Sequence, residues 1–278
     1  MTVIAMTQEM ATLGRDVAAG VAEALHLRLV RHELGDAVAD RLNVNRSLVR
    51  RMRDGKAGWF EKREVDASSF AVYAAEEVFE LAHAGDVLIR GWGAVYLLRQ
   101  VSHVPCIRVC APLESRLKWL MERLQTDDEG LARDELERSD TAHAGRIREN
   151  FGVAIGDPLL YDLVLNTGRI SVESCVDQVL ALARRPEFQP TEASLAQLSN
   201  LGLAARIQAA LRANPAADDI RVTVDVDRGA VTLRGTVMTD QERRLVPKLV
   251  RSVAGVKSVS NRLRVLAAGA KIFPSDIA

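Results

Sequence analysis

The chain opens with a short apolar run, Val3-Ile4-Ala5-Met6, followed by a polar stretch from Thr7 to Gly14. After it Val17, Ala18, Val21 and Leu25 recur at the i, i+1, i+4, i+8 spacing of a helix with one buried face. The pattern predicts a buried strand, a loop, and a helix whose N-terminus faces that loop. The same alternation then repeats. Leu27–Val30 is a short strand, and Glu33–Leu42 a helix with Leu34, Val38 and Leu42 on one side. Ser69–Ala84 is a helix closed by Gly85, Asp86–Ile89 a buried strand, and Arg90–Ala94 a glycine turn into the helix Val95–Arg99. Ile107–Cys110 is a strand closed by Ala111-Pro112, and Leu113–Leu124 a helix. Asp127–Asn150 is polar and charged throughout, which reads as an exposed helical lid. Tyr161–Thr167 is a further strand, and a helix through Val172, Val176, Val179 and Leu182 follows. Strands alternating with helices predict a parallel sheet with helices on both faces, an α/β fold.

From Pro186 to Asn200 two prolines and few large apolar residues suggest a linker, with boundaries near residues 186 and 199. Beyond it the period changes. Leu203–Arg212 is a helix, and Ile220–Val226 and Ala230–Val237 alternate as strands around the turn Asp227-Arg228-Gly229. Thr239 and Glu242 form a capping box for a helix reaching Val253, which Pro247 should kink, and Val256–Val265 is a last strand. The unit is αββαβ over residues 200–268, with 269–278 a tail.

Charge and cysteine content narrow the function class. Thirty-seven basic and 37 acidic residues cancel, so no global field draws the chain to nucleic acid or anionic lipid. Asn45–Arg63 is basic and carries Trp59 and Phe60, and Val38–Met52 could mimic a helix-turn-helix. Glu61, Glu64 and Asp66 follow at once, so a solvated helix and loop is the reading taken. Cys106, Cys110 and Cys175 contain no C-x-x-C and suit reduced thiols rather than zinc or disulfides. No basic-then-apolar leader and no apolar run near ~20 residues is present, which points to a cytoplasmic protein.

The candidate chemistry sits in the first loop. Free amides and the dipole of a helix N-terminus converge on anions. Against the pattern G-x-x-x-x-G-K-[ST], Glu9 replaces the first glycine, Arg15 the lysine and Asp16 the Ser/Thr, with Gly14 kept. The alternative reading of the loop is an ordinary strand-to-helix turn.

Four phrases in order carry a resemblance. They are the Thr7–Ala18 loop, Gly91-Trp92-Gly93-Ala94, Val109-Cys110-Ala111-Pro112-Leu113-Glu114-Ser115-Arg116, and Gly156-Asp157-Pro158 with Tyr161–Thr167. Residues 1–185 resemble the cytidylate kinase-like family of nucleoside monophosphate kinases, and the C-terminal unit, through Asp227-Arg228-Gly229-Ala230-Val231-Thr232-Leu233-Arg234-Gly235 and Val253-Ala254-Gly255-Val256-Lys257-Ser258-Val259-Ser260-Asn261-Arg262-Leu263, closely resembles a BON domain. The resemblance implies a P-loop kinase fold using ATP and Mg²⁺. Donor phosphates would lie on Thr12, Leu13, Gly14, Arg15 and Asp16. An acceptor would lie near Gly91, Trp92, Gly93 and Asp140, with Arg15 and Arg148 in catalytic roles and an arginine-bearing lid around 125–150. No protein metal site is implied.

The departures point to a degenerate phosphate loop. Where the family reads S-R-E-x-G-S-G-G-R, this chain has Ala11 and Leu13 for two glycines. It also has Trp92 for a glycine-flanked arginine and His143 for a lid arginine. Phosphoryl transfer rests on positioned positive charge, so each loss weakens catalysis. The expectation is a nucleotide-binding protein of kinase ancestry, with an active (deoxy)cytidylate-type kinase and a non-catalytic scaffold as alternatives. The BON resemblance implies a phospholipid surface or protein partner. Homo-oligomerisation stays open, and nucleic acid is not expected.

Overall fold

A computed structural model describes residues 1–30, 33–53, 56, 58 and 67–266. Trp59, Phe60, Glu61, Glu64 and Asp66 of the basic segment, and the tail from 269, lie outside the described residues. The chain divides into two units, Met1–Leu198 and Ser199–Ala278, each described here by itself.

The first unit is built on five parallel strands in the order β2-β3-β1-β4-β5. They are β1 Val3–Gln8, β2 Arg28–Val30, β3 Val87–Arg90, β4 Cys106–Cys110 and β5 Leu163–Asn166. The helices are α1 Gly14–Ala24, α2 Glu33–Leu42, α3 Arg46–Arg53, α4 Ala67–Ala84, α5 Ala94–Leu98, α6 Leu113–Leu124, α7 Glu129–Phe151 and α8 Val172–Ala183. Ile4, Met6, Leu88, Ile107, Val109 and Leu165 face Val17, Val21, Cys175 and Val179 of α1 and α8 in one core. The alternate strand residues face the other way, where Cys106 Sγ meets the Val95 carbonyl of α5. Helices therefore cover both faces, as the apolar runs predict. All five strands are parallel, so the turns after β1, β3, β4 and β5 share the carboxyl edge, where open α/β sheets hold ligands. The Gly91 amide donates to the Met6 carbonyl at 2.8 Å and fastens the turn after β3 to strand β1.

The polar stretch expected as an exposed lid is α7, capped by Asp128 accepting from the Leu131 amide at 2.9 Å. One side of it is buried, because Ala132 and Leu136 pack with Leu117 and Leu120 of α6. Residues 186–200, expected as a linker, form a 3₁₀ turn at Pro186–Phe188 and the beginning of α9, Glu192–Arg212. Thr191 and Ser194 supply the reason. The Ser194 amide donates to Thr191 Oγ1 and the Thr191 amide to Ser194 Oγ, a reciprocal cap that starts a helix despite few bulky apolar residues.

The second unit holds β6 Thr223–Asp227 antiparallel to β7 Ala230–Val237, which runs parallel to β8 Ser258–Val265. α10, Asp240–Arg251, starts at the expected capping box: the Glu242 amide donates to Thr239 Oγ1, and Glu242 Oε2 accepts from the Met238 amide. Pro247 cannot donate to the Arg243 carbonyl, and Asn261 Nδ2 takes that carbonyl instead at 2.9 Å. Leu203, Ile207, Val231, Leu233, Val246, Val250 and Leu263 form this unit's own core.

Candidate functional site

The loop from Glu9 to Leu13 leaves β1 and enters α1. Ala11 and Leu13 both take left-handed backbone, with φ of 61° and 56°. A side chain there costs on the order of 1–2 kcal/mol per residue. The loop is held in that shape by side chains from distant parts of the chain. Buried Thr12 donates through Oγ1 to the Glu9 carbonyl at 2.9 Å, and Thr167 Oγ1, beyond β5, donates to the Thr12 carbonyl at 2.8 Å. Arg116 of α6 donates from Nε to the Met10 carbonyl at 2.7 Å and makes a two-bond pair with Asp140 of α7, at 2.9 and 2.8 Å. Glu9 pairs with Arg108 of β4 and lies 3.8 Å from Arg116. Arg108 also donates to the Ile155 carbonyl at 2.7 Å. Two arginines beneath the loop are thus matched by two carboxylates.

Leu13 caps α1 without a side-chain hydrogen bond. The amides of Gly14 and Arg15, first in the helix, have no intrahelical acceptor. Gly14 is glycine because the Gln8 side chain lies on it: a Cβ there would stand 2.6 Å from Gln8 Oε1. That oxygen is buried without a hydrogen-bond partner. A half-turn about the last side-chain bond presents Nε2 instead, a donor suited to an anion.

In front of the loop is a cavity of about 310 Å³ lined by Gln8, Ala11, Thr12, Leu13, Arg15, Asp16, Trp119 and Arg123. Arg15 and Arg123 are both exposed and supply its positive charge. Trp119, half-buried, offers a flat aromatic wall. A larger cavity of about 440 Å³ along α6 is ringed by Glu114, Glu122, Asp127 and Glu129 with Lys118, a surface that repels phosphate. The smaller cavity is the better candidate on charge.

The structure brings Thr12, Leu13, Arg15 and Asp16 to that cavity, with Gly14 immediately behind. Asp140 does not line it, since its carboxylate is engaged by Arg116. Arg148 is exposed on α7 and does not line it either. Gly91, Trp92 and Gly93 form the β3–α5 turn, all with positive φ (86°, 59° and 75°). The six-membered ring of Trp92 abuts Gly35 of α2, where a Cβ would stand 2.2 Å from Cη2, and the ring centroids of Trp92 and Phe70 are 6.1 Å apart. His143 is half-buried beside Arg146, and desolvation first, then that guanidinium, pulls its pKa down to about 4, so the imidazole is neutral at pH 7. Trp119 and Arg123 were not anticipated from sequence. Their i, i+4 spacing on the helix after Pro112 was the available signal.

A family model for the cytidylate kinase-like family matches residues 3–169. The chain belongs to the cytidylate kinase-like family. A BON domain model matches residues 199–267 of the same chain. A cytidylate kinase of Staphylothermus marinus is 30% identical over 98 residues, which are 35% of this chain. The matched region spans 54%, about half, of that relative's length. A protein of Eubacterium ventriosum superposes with a TM-score of 0.53 at 19% identity, over 66% of this chain and all of the other, a likeness of fold. A shikimate kinase of Bacteroides thetaiotaomicron aligns with a TM-score of 0.41 at 14% identity, over 66% of this chain and 99% of its own.

The cavity fits the phosphates of a nucleotide. Arg15 and Arg123 line it beside the start of α1, Gln8 Oε1 is buried there without a partner, and Asp16 is the carboxylate among its described lining residues. Among the described residues no cluster of three or more His, Cys, Asp or Glu could hold a metal by itself. Mg²⁺ suits this site when carried in by phosphates, since it is commonly bound by few protein carboxylates plus substrate oxygens.

Proposed function

We propose that the first unit is a nucleotide-binding domain with a weakened phosphate loop, acting as a regulator rather than by turnover. In this reading the BON domain attaches it to a membrane surface or partner protein. The observation that carries the nucleotide reading is the cavity in which Arg15, Arg123 and the unpartnered Gln8 amide meet the start of α1. The amides of Gly14 and Arg15 and the two guanidinium groups bind phosphate oxygens, and ATP brings Mg²⁺. Trp119 takes the base on its face, a contact worth about 1–3 kcal/mol where bases stack on aromatic side chains. Catalysis is weak because Arg108 and Arg116 are neutralised by Glu9 and Asp140, and His143 is uncharged.

This reading takes residues 1–185 and 200–268 as separately folding domains and the protein as cytoplasmic. Among the described residues no helix is long and apolar enough to cross a membrane. The second reading is an active ATP-dependent (deoxy)cytidylate kinase with Arg15 and Arg148 on the migrating phosphoryl. It is favoured by the intact order of strand, loop and helix.

Calorimetry with ATP, ADP, CMP and dCMP, with and without Mg²⁺, tests both together with a phosphotransfer assay. Binding without turnover supports the regulator. Turnover moves the conclusion to the kinase. No heat with any nucleotide leaves the fold as a scaffold.

A further inference from the structure

The zero net charge of the chain conceals a partition. Through Leu198 the sequence has 24 basic and 30 acidic residues; from Ser199 onward it has 13 and 7. The excess of the second unit is not spread evenly over its sheet. Alternation on each strand sends Val231, Leu233 and Leu263 into the core and their neighbours outward. The outward face runs from Asp225 and Asp227 on β6, through Arg234 on β7, to Arg262 and Arg264 on β8, all exposed. The register sets Arg234 directly against Arg262, and like charges so placed destabilise a sheet. Arg234 lies 3.4 Å from Asp225 Oδ2, whereas Arg262 and Arg264 make no ion pair among the described residues. A face that keeps uncompensated like charges together is suited to a polyanion.

The chemistry of the face selects among polyanions. Residues 199–266 contain no Phe, Tyr, Trp or His, so no base can stack there as single strands require. The outward positions hold no large apolar side chain to sink into a bilayer, whose binding grows with buried apolar area. Besides arginine they hold hydroxyls, from Thr232, Thr236, Ser258 and Ser260, with the carboxylates Asp225 and Asp227 set apart on β6, the strand farthest from Arg262 and Arg264. Arginine with serine and threonine is the set that contacts duplex phosphates without reading bases. Arg262 and Arg264, two residues apart on one strand, are separated by about 6.6 Å, a step comparable to that between successive phosphates.

We infer that the outer face of the β6–β7–β8 sheet binds double-stranded DNA through its phosphate backbone, without sequence preference. This goes beyond the nucleotide site and does not depend on it. It revises the expectation from overall charge, because binding responds to the local field rather than to the sum.

The test is fluorescence anisotropy of the full chain with a labelled mixed-sequence duplex across a KCl series. The expected slope of log K against log salt is about −2 to −3, two or three phosphates at about −0.9 each. Arg262→Gln with Arg264→Gln should remove about two from that slope and weaken binding at least tenfold at low salt. ATP calorimetry and far-UV circular dichroism should stay unchanged. A second duplex of unrelated sequence should bind equally well. The inference is overturned if no duplex binds at about 50 mM salt, or if the double variant keeps the full slope. It is equally overturned if single strands bind as tightly, or if phosphatidylglycerol vesicles show the arginine dependence and the duplex does not.

Discussion

Two turns in this molecule solve the same backbone problem differently. The hairpin between β6 and β7 needs left-handed residues and has Arg228 and Gly229 there, with φ of 48° and 90°. Gly229 is required: a Cβ would stand 2.8 Å from the Gly255 carbonyl, and the Gly229 carbonyl is taken by the Lys257 amide at 2.8 Å. That turn takes a single side-chain hydrogen bond, the Arg228 amide donating to Asn200 Oδ1 at 2.8 Å, and no ion pair braces it among the described residues. The loop after β1 also needs left-handed residues, but it has Ala11 and Leu13, and its shape depends on Arg116, Thr167, Glu9 and Asp140. Where glycine is absent, order has moved from the loop into a buried ionic brace. The same brace pairs Arg108 and Arg116 with Glu9 and Asp140 beneath the loop.

The strongest way to break the contrast is to remove the brace. Arg116 has only 6% of its side chain exposed and serves Met10, Asp140 and Glu9 at once. Arg116→Ala leaves the Met10 carbonyl without that donor and Asp140, 37% exposed, without its two-bond partner, so urea unfolding should show a loss of about 1–3 kcal/mol. Arg228→Ala, in the hairpin of the second unit, should change stability by about 1 kcal/mol or less, as is usual for exposed positions. Comparable losses at both positions would mean that the brace carries no special load.

Much of this contrast could be anticipated from sequence, and the part that could not has physical reasons. Apolar runs located β1, β3, β4 and β5 within a residue or two, because buried parallel strands are apolar on both faces. The first loop was legible as a candidate anion site from the order of strand, loop and helix. Its brace was not, since Glu9, Arg116 and Asp140 are far apart in the chain and each looks like an ordinary surface charge. Trp119 reads as core and Arg123 as the polar face of an amphipathic helix until the cavity joins them. The start of α9 was obscured by two prolines and depends on the Thr191–Ser194 cap. The charge partition was hidden by a sum that came to zero.

The first unit should also respond to pH through His143, which lies beside Asp140 of the brace. His143 faces Arg146, Asp140 and Arg108, and its folded-state pKa is held down to about 4, chiefly by burial. An unfolded histidine titrates near 6.5, so between those values the unfolded chain binds a proton that the folded chain refuses. Stability present above about pH 6.5 is therefore lost as pH falls toward 4, by at most about 3–4 kcal/mol. His143→Gln should flatten the first unit's dependence on pH, followed by thermal unfolding across that range. The second unit has no histidine from Ser199 to Leu266 and should respond less. An unchanged profile in the variant would remove His143 from the account.

The finest test converts one turn into the other. Ala11→Gly with Leu13→Gly gives the first loop the residue that the hairpin already uses, relieving left-handed strain at both positions and clearing the Leu13 side chain from the cavity wall. Relief of about 1.4 kcal/mol corresponds to tenfold in affinity, so calorimetry should show ATP bound at least that much more tightly. The added glycines also raise the entropy of the unfolded chain, which offsets part of the relief in the apo protein. Adding Arg15→Ala should remove the gain, because that guanidinium stands at the helix start beside the cavity. If Arg15→Ala leaves the gain intact, Arg123 and the helix amides carry the phosphate between them. If the glycines change nothing while the wild type already binds ATP at micromolar concentration, the braced loop presents its amides as well as a glycine loop does. The kinase reading would then displace the regulator.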